Sequence, residues 1–158
     1  MSTDEEFQAK LELGKKAEDI LFEYLKMYNG LVEDSRRQNY NDGGGPRLEG
    51  TEGSIVLPDF TVYNKPGDRR GSFAVDVKYK TSVYPINGKK CFTVDNKFEQ
   101  YKKIVQIKGL DFLVIAFMFN GKFYWYKDSD LYAVTTFQNQ HSTGNVYCFE
   151  YDESKIRY

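Results

Sequence analysis

The feature that most restricts the fold of this chain is an uninterrupted apolar run, Asp111 to Phe119, reading Phe-Leu-Val-Ile-Ala-Phe-Met-Phe after its leading aspartate. A strand built from it has no face suited to water, so the run predicts a central strand buried on both faces. It is far too short to cross a bilayer as a helix. Asn120-Gly121 follows it, a strong hairpin-turn signal into a partner strand at Lys122–Tyr126. Aromatic residues make up 16% of the 158 residues, which favours packed sheets.

Upstream, Phe73 to Lys80 alternates strictly. Phe73, Val75, Val77 and Tyr79 share one face, and Ala74, Asp76, Lys78 and Lys80 share the other. Ser54 to Tyr63 reads as a single strand. It should pair antiparallel with Phe73–Lys80 through the turn-rich segment 64–71. Residues 5–28 predict a helix with Leu13, Ala17, Ile20, Leu21, Tyr24, Leu25 and Tyr28 on its apolar stripe, stopped by Asn29-Gly30. Segment 33–53, centred on Gly43-Gly44-Gly45-Pro46, reads as a polar loop, and Tyr84 to Lys90 as a turn region. A second helix is expected over 96–108, with Asn96 and Glu99 as a capping box. A short helical turn near Ser129–Val134 and a last strand at Asn145–Tyr151 complete the order. The sum is a single α/β (α+β) domain over 1–158 with a mixed central sheet.

Composition closes several classes of chemistry. Cys91 and Cys148 are the only cysteines and His141 the only histidine. A disulfide scaffold, a histidine-rich metal site and Ser-His-Asp machinery are thereby disfavoured. The acidic first residues do not resemble a targeting peptide. The expected setting is the cytoplasm of a microbe or of a phage-infected host, with no membrane partner and no organic cofactor. The formal charge is −1, but residues 64–108 hold eleven Lys or Arg against four Asp or Glu. A basic middle of this kind suits a phosphate-facing surface. A set of solvated surface lysines accounts for it equally.

Chemistry concentrates at Pro58-Asp59 and Asp76-Val77-Lys78. Asp76 and Lys78, two apart on a strand, must point the same way, and a paired neighbouring strand would bring Asp59 to the same patch. Carboxylates that close repel unless a cation sits between them. Mg²⁺ prefers oxygen ligands, and such an ion can lower the pKa of a water and hold a phosphate oxygen. On the first helix, Glu18 falls at the edge of the buried face. Gly14, one turn earlier, suggests close approach of a strand or ligand, because a mid-helix glycine costs about 1 kcal/mol against alanine. An Asp-x-Lys on a strand is also ordinary surface decoration, and Glu18 could be an ordinary boundary glutamate.

In this order, Gly14–Glu18, Pro58-Asp59, Asp76-Val77-Lys78, a helix at Asn96–Lys108 and the apolar strand, the sequence resembles the PD-(D/E)xK nuclease superfamily. Within it the likeness is to small archaeal-type Holliday junction resolvases and related phage or restriction-type nucleases. The resemblance implies a restriction endonuclease-like core, a mixed sheet flanked by helices. It implies Mg²⁺-dependent hydrolysis of DNA, with Mn²⁺ as a substitute. Glu18, Asp59, Asp76 and the Val77 carbonyl would surround the metal, and Lys78 would be the catalytic lysine. The chain departs from the pattern in having Asp76 where Glu is more frequent. It also has no Gln-x-x-x-Tyr on the second helix, where Gln100 and Tyr101 are adjacent. Arg36, Arg37, Arg69, Arg70, Lys80, Lys89, Lys90, Lys97, Lys102 and Lys103 are the expected DNA contacts, with Arg47 beside the glycine-rich loop. Junction resolution would require a homodimer. A binding module that cuts nothing and an RNA or nucleotide phosphodiesterase are the rival readings.

Overall fold

The computed structural model describes residues 3–37, 47–50, 53–138 and 143–158. Helix α1 (Thr3–Tyr28) opens with Asp4, Glu5 and Glu6, whose charges suit the positive end of the helix dipole. Its buried residues are Ala17, Leu21 and Leu25, spaced by four. Leu13, Ile20 and Tyr28, expected on that stripe, face solvent. Asn29 ends the helix by donating its side-chain amide to the Leu25 carbonyl at 3.0 Å.

Strand β1 (Leu31–Asp34) and a 3-10 turn (Ser35–Arg37) follow, then β2 (Arg47–Gly50), β3 (Gly53–Val56), β4 (Phe60–Tyr63) and β5 (Phe73–Tyr79). Next come β6 (Tyr84–Ile86), β7 (Lys89–Val94), helix α2 (Lys97–Ile107), β8 (Phe112–Phe119) and β9 (Lys122–Lys127). The last strands are β10 (Ala133–Gln138), β11 (Thr143–Glu150) and β12 (Ile156–Arg157). The main sheet runs β1-β4-β5-β8-β9-β12, a second runs β10-β11-β7-β6, and β2 pairs with β3 alone.

The main sheet is mixed. Strands β5 and β8 are parallel, with Asp76 opposite Ile115, whereas its other pairs are antiparallel. A parallel pair needs a long crossover, and here that crossover contains β6, β7 and α2. One face of the sheet packs against α1 through Ala17, Leu21 and Leu25. The other packs against α2 and the second sheet through Phe92, Phe98, Phe117 and Phe149. Strand β8 lies between both layers, which is why it tolerates an unbroken apolar run. The mixed sheet covered by helices is the expected fold class.

Several expectations change. Segment 54–63 is two strands in two sheets, because the chain turns at Leu57-Pro58-Asp59 and proline has no N–H for a ladder. Segment 33–53 is not all loop: it carries part of β1, the 3-10 turn and β2, while its glycine-rich centre lies outside the described residues. The turn region at 84–90 is a hairpin with Asn87-Gly88 at its tip, both at positive φ, like Asn120-Gly121. Asn96 makes no side-chain cap; instead Asp95 Oδ1 accepts from the Lys97 N–H at 3.0 Å. A 3-10 turn at Asp128–Asp130 and β10 replace the helical turn expected at 129–134.

Candidate active site

Strand β4 pairs with β5 only from Phe73 to Val75. Among the described residues, no strand lies beside that edge of β5 beyond Val75, and the side chain of Asp59, one residue before β4, takes the place. Its Oδ2 accepts from the Val77 N–H at 2.8 Å. The Val77 carbonyl faces the same side, as both groups of one residue do in a strand. The Asp59 N–H in turn donates to Asp76 Oδ1 at 3.3 Å.

Asp76 is 3% exposed. Its buried Oδ2 pairs with Lys78 Nζ at 3.0 Å. Burial works against the Lys78 cation, but Asp76, then Asp95 and Asp59, hold its pKa above the ordinary lysine value. Tyr101 of α2, buried, underlies Lys78 with its ring centre 5.7 Å from Nζ. Burial, then the charges of Asp76 and Glu18, push the Asp59 carboxyl well above its usual range.

Glu18 stands on the α1 wall of the same cleft, a hollow of about 750 Å³ that also reaches Asp59, Asp76, Lys78 and Tyr101. Its Oε1 lies 3.4 Å from Arg36 Nη1. Burial raises its pKa against the opposing pull of Arg36. Among the described residues, nothing outside the helix's own backbone lies within 4 Å of where a Cβ on Gly14 would be, so no described strand approaches there, and the glycine lines the cleft.

The expected quartet Glu18, Asp59, Asp76 and Lys78 therefore lines one hollow. Among the described residues, no three metal-ligating side chains are close enough to hold an ion as they stand. Glu18 is drawn toward Arg36 while Asp59 and Asp76 lie together. The adjoining Asp59 and Asp76 carboxylates, the disfavoured charge on Asp59 and an all-oxygen donor set fit a hard divalent cation better than a soft one.

The expected DNA contacts divide. Lys97 lines the cleft and Lys80 an adjoining hollow. Arg36 is turned inward: Nε and Nη2 bond Asp34, Nη1 bonds Asp19 and Glu18, and its plane covers Phe60. All three guanidinium nitrogens are engaged, which takes Arg36 out of the phosphate-contacting set. Arg69 and Arg70 precede β5, at the end away from Lys78, and Arg70 is bonded to Asp68 and the Tyr28 carbonyl. Lys89 and Lys90 belong to β7, where Lys89 pairs with Glu150. Lys102 and Lys103 lie on α2 outside the cleft lining, with Lys102 over the Phe98 ring. The side chains of Arg37 and Arg47 lie outside the described residues.

Sequence reading missed Lys10, Lys15 and Tyr101, which line the cleft. It also missed Gln100, whose Oε1 accepts from the Val56 N–H at 2.9 Å and ties β3 to α2. Adjacent Gln100-Tyr101 was the available signal, since one side chain reaches β3 and the other the floor beneath Lys78.

No protein-family model and no curated protein matches the sequence. Among solved structures, the chain is similar to Hjc, a Holliday junction resolvase from the archaeal hyperthermophile Archaeoglobus fulgidus. Identity is 15% and the TM-score 0.49, over 87% of this chain and 85% of that one.

Proposed function

We propose that this chain is a metal-dependent endonuclease that hydrolyses DNA phosphodiester bonds in the cleft between α1 and the end of β5. The observation that carries the reading is the buried Asp76 carboxylate, held beside Asp59 with Lys78 Nζ 3.0 Å from its Oδ2. Two carboxylates buried side by side are costly, and a site for charged chemistry accounts for them.

Asp59, Asp76 and the Val77 carbonyl would hold Mg²⁺ or Mn²⁺, with Glu18 closing from the opposite wall. When bound, the ion acts as a Lewis acid that offsets phosphate charge and makes water more acidic. Lys78, kept cationic by Asp76, donates hydrogen bonds toward the phosphoryl oxygens as negative charge grows there. One such donor is worth about 10²–10³ in rate. Water attacks phosphorus, a P–O bond to the departing sugar oxygen breaks, and that oxygen leaves carrying a proton. No covalent enzyme intermediate forms. Lys10, Lys15 and Lys97 at the cleft give the flanking phosphates their counter-charge. Resolution of a four-way junction would add a two-fold dimer to this; one cleft accounts for hydrolysis of one strand.

The pairing of Glu18 with Arg36 favours a second reading, a module that binds DNA and cuts nothing. Plasmid and branched DNA incubated with Mg²⁺ or Mn²⁺, with EDTA as control, separate the two. Nicking by the wild type is expected, falling at least about 100-fold in Asp76→Asn and Lys78→Ala with unchanged circular dichroism. Full activity in Asp76→Asn, or binding without nicking in the wild type, would overturn the endonuclease assignment.

A further inference from the structure

The catalytic cleft continues past Lys78. A second hollow of about 350 Å³ opens between the first half of α1 and the segment joining β5 to β6. The two hollows share Lys10, Leu11 and Tyr79, so a strand leaving one enters the other. Its volume lies in the range of about 300–1,000 Å³ typical of clefts that take organic ligands.

The lining is unusual for a surface. Phe7 is 60% exposed and Tyr84 52%, and both border the hollow. Among the described residues, its charged lining is Lys10 and Lys80, with no Asp or Glu. Lys80 is half-buried and forms no ion pair among the described residues; burial, then the Lys78 cation, disfavour its charge, against a weaker opposing pull from Asp95. A half-buried cation in that position calls for an anion from outside.

The helix supplies the geometry. Phe7, Leu11, Gly14 and Glu18 recur at spacings of four, three and four, on one face of α1. From Phe7 to Glu18 that face extends about 16 Å, several nucleotides at the roughly 3.4 Å rise of one strand. Among the described residues, α1 buries nothing before Ala17, so this half of the helix projects beyond the core.

We propose that this hollow is a subsite for unpaired nucleotides, in which Phe7 and Tyr84 stack on bases while Lys10 and Lys80 contact phosphates of the strand whose scissile bond lies at Asp76 and Lys78. Exposed aromatics in a basic groove are the means by which proteins hold single strands. In an uninterrupted duplex each base is already stacked on its neighbours and offers these rings nothing. The subsite therefore directs the enzyme to DNA with a single-stranded segment beside the cut, such as a flap, overhang or loop. The inference rests on the endonuclease reading for its cleavage register, but not for its binding.

The test measures binding and cutting separately. Fluorescence anisotropy in EDTA compares a dye-labelled fifteen-nucleotide oligo-dT with a duplex of about that length. The wild type should prefer oligo-dT. Phe7→Ala/Tyr84→Ala should lose about tenfold or more of that affinity, with duplex binding unchanged, whereas Tyr84→Phe keeps it. Lys80→Ala should weaken oligo-dT binding and flatten its salt dependence. Equal binding of duplex and oligo-dT by the wild type, or undiminished oligo-dT binding by the double variant, would overturn the subsite. Both aromatics are exposed, so matching thermal midpoints should show that the variants fold. With Mg²⁺ added, a flap substrate should be cut in preference to plain duplex, and the double variant should lose that preference. A wild type that cuts neither substrate, yet shows aromatic-dependent oligo-dT binding, would remove the nuclease reading and leave the subsite standing.

Discussion

Asp59 and Asp76 hold each other through the backbone: the Asp59 N–H donates to Asp76 Oδ1 at 3.3 Å, while the Asp59 carboxylate accepts from the Val77 N–H at 2.8 Å. The two acids are thus fixed side by side where strand pairing has ended. Their mutual repulsion is built into the fold, a local cost of the kind found at functional sites.

That cost gives a pH dependence with a definite sign. The folded pKa of Asp59 lies above its unfolded value near 3.9. Its stabilising contribution is therefore largest when it is protonated. It is lost as pH rises from about 3.9 through the raised folded value. In EDTA, Asp59→Asn should keep an acceptor for the Val77 N–H, flatten this dependence and melt higher than wild type at neutral pH. Each kcal/mol gained is worth about 2–4 °C in a domain of this size. Mg²⁺ should raise the wild-type midpoint and leave that of Asp59→Asn nearly unmoved. Scanning calorimetry across pH, with and without Mg²⁺, reads all of this; identical midpoints for the two proteins would refute it.

Arg36 bonds Asp34, Asp19 and Glu18. Arg36→Ala should destabilise the fold by about 2–3 kcal/mol, below the 3–5 of a fully buried pair because Asp19 is open to water. Arg36→Lys keeps a charge without the planar fork and should release Glu18 toward Asp59. In that variant, half-maximal nicking should need less Mg²⁺ than in the wild type. An unchanged Mg²⁺ requirement would show that the guanidinium does not compete for Glu18.

Phe92 of β7 stacks on Phe117 at 4.7 Å between ring centres and meets Phe119, Tyr124, Tyr126 and Tyr151. It fastens the second sheet to the main one. Phe92→Ala should cost about 3–5 kcal/mol, seen as a lower urea midpoint with an unchanged slope.

Gly71 and Gly67 both lie in the loop joining β4 to β5 at positive φ, +70° and +84°. A Cβ on Gly67 meets open space, whereas one on Gly71 would come 2.9 Å from Asp111 Oδ2. That oxygen accepts from the Ser72 N–H at 2.8 Å, so it cannot move freely. Gly67→Ala should cost about 1–2 kcal/mol from backbone strain alone, and Gly71→Ala distinctly more. Parallel urea titrations compare them, and equal losses would contradict the steric account.

What the sequence determined by itself was the two-residue repeat of the strands and the turn chemistry at their ends; the longer helical stripe of α1 was only partly legible, since Leu13, Ile20 and Tyr28 face solvent. The unbroken run ending at Phe119 required cover on both faces, and β8 has it. Strict alternation put Asp76 and Lys78 on one side of β5, a consequence of the two-residue repeat of any strand. Asn120-Gly121 closed its hairpin because both residues accept positive φ. The break at Pro58, β1 and β2 at the margins of a polar segment, the inward turn of Arg36 and the cleft positions of Lys10 and Tyr101 depended on tertiary packing. Each turns on which distant surface a segment meets. Asp59 reaches Asp76 only because β4 pairs in one register with β5, and Glu18 faces them only because Ala17, Leu21 and Leu25 seat α1 on that sheet. Local rules act over two to four residues; charge pairs across the fold are set by the packing of whole elements.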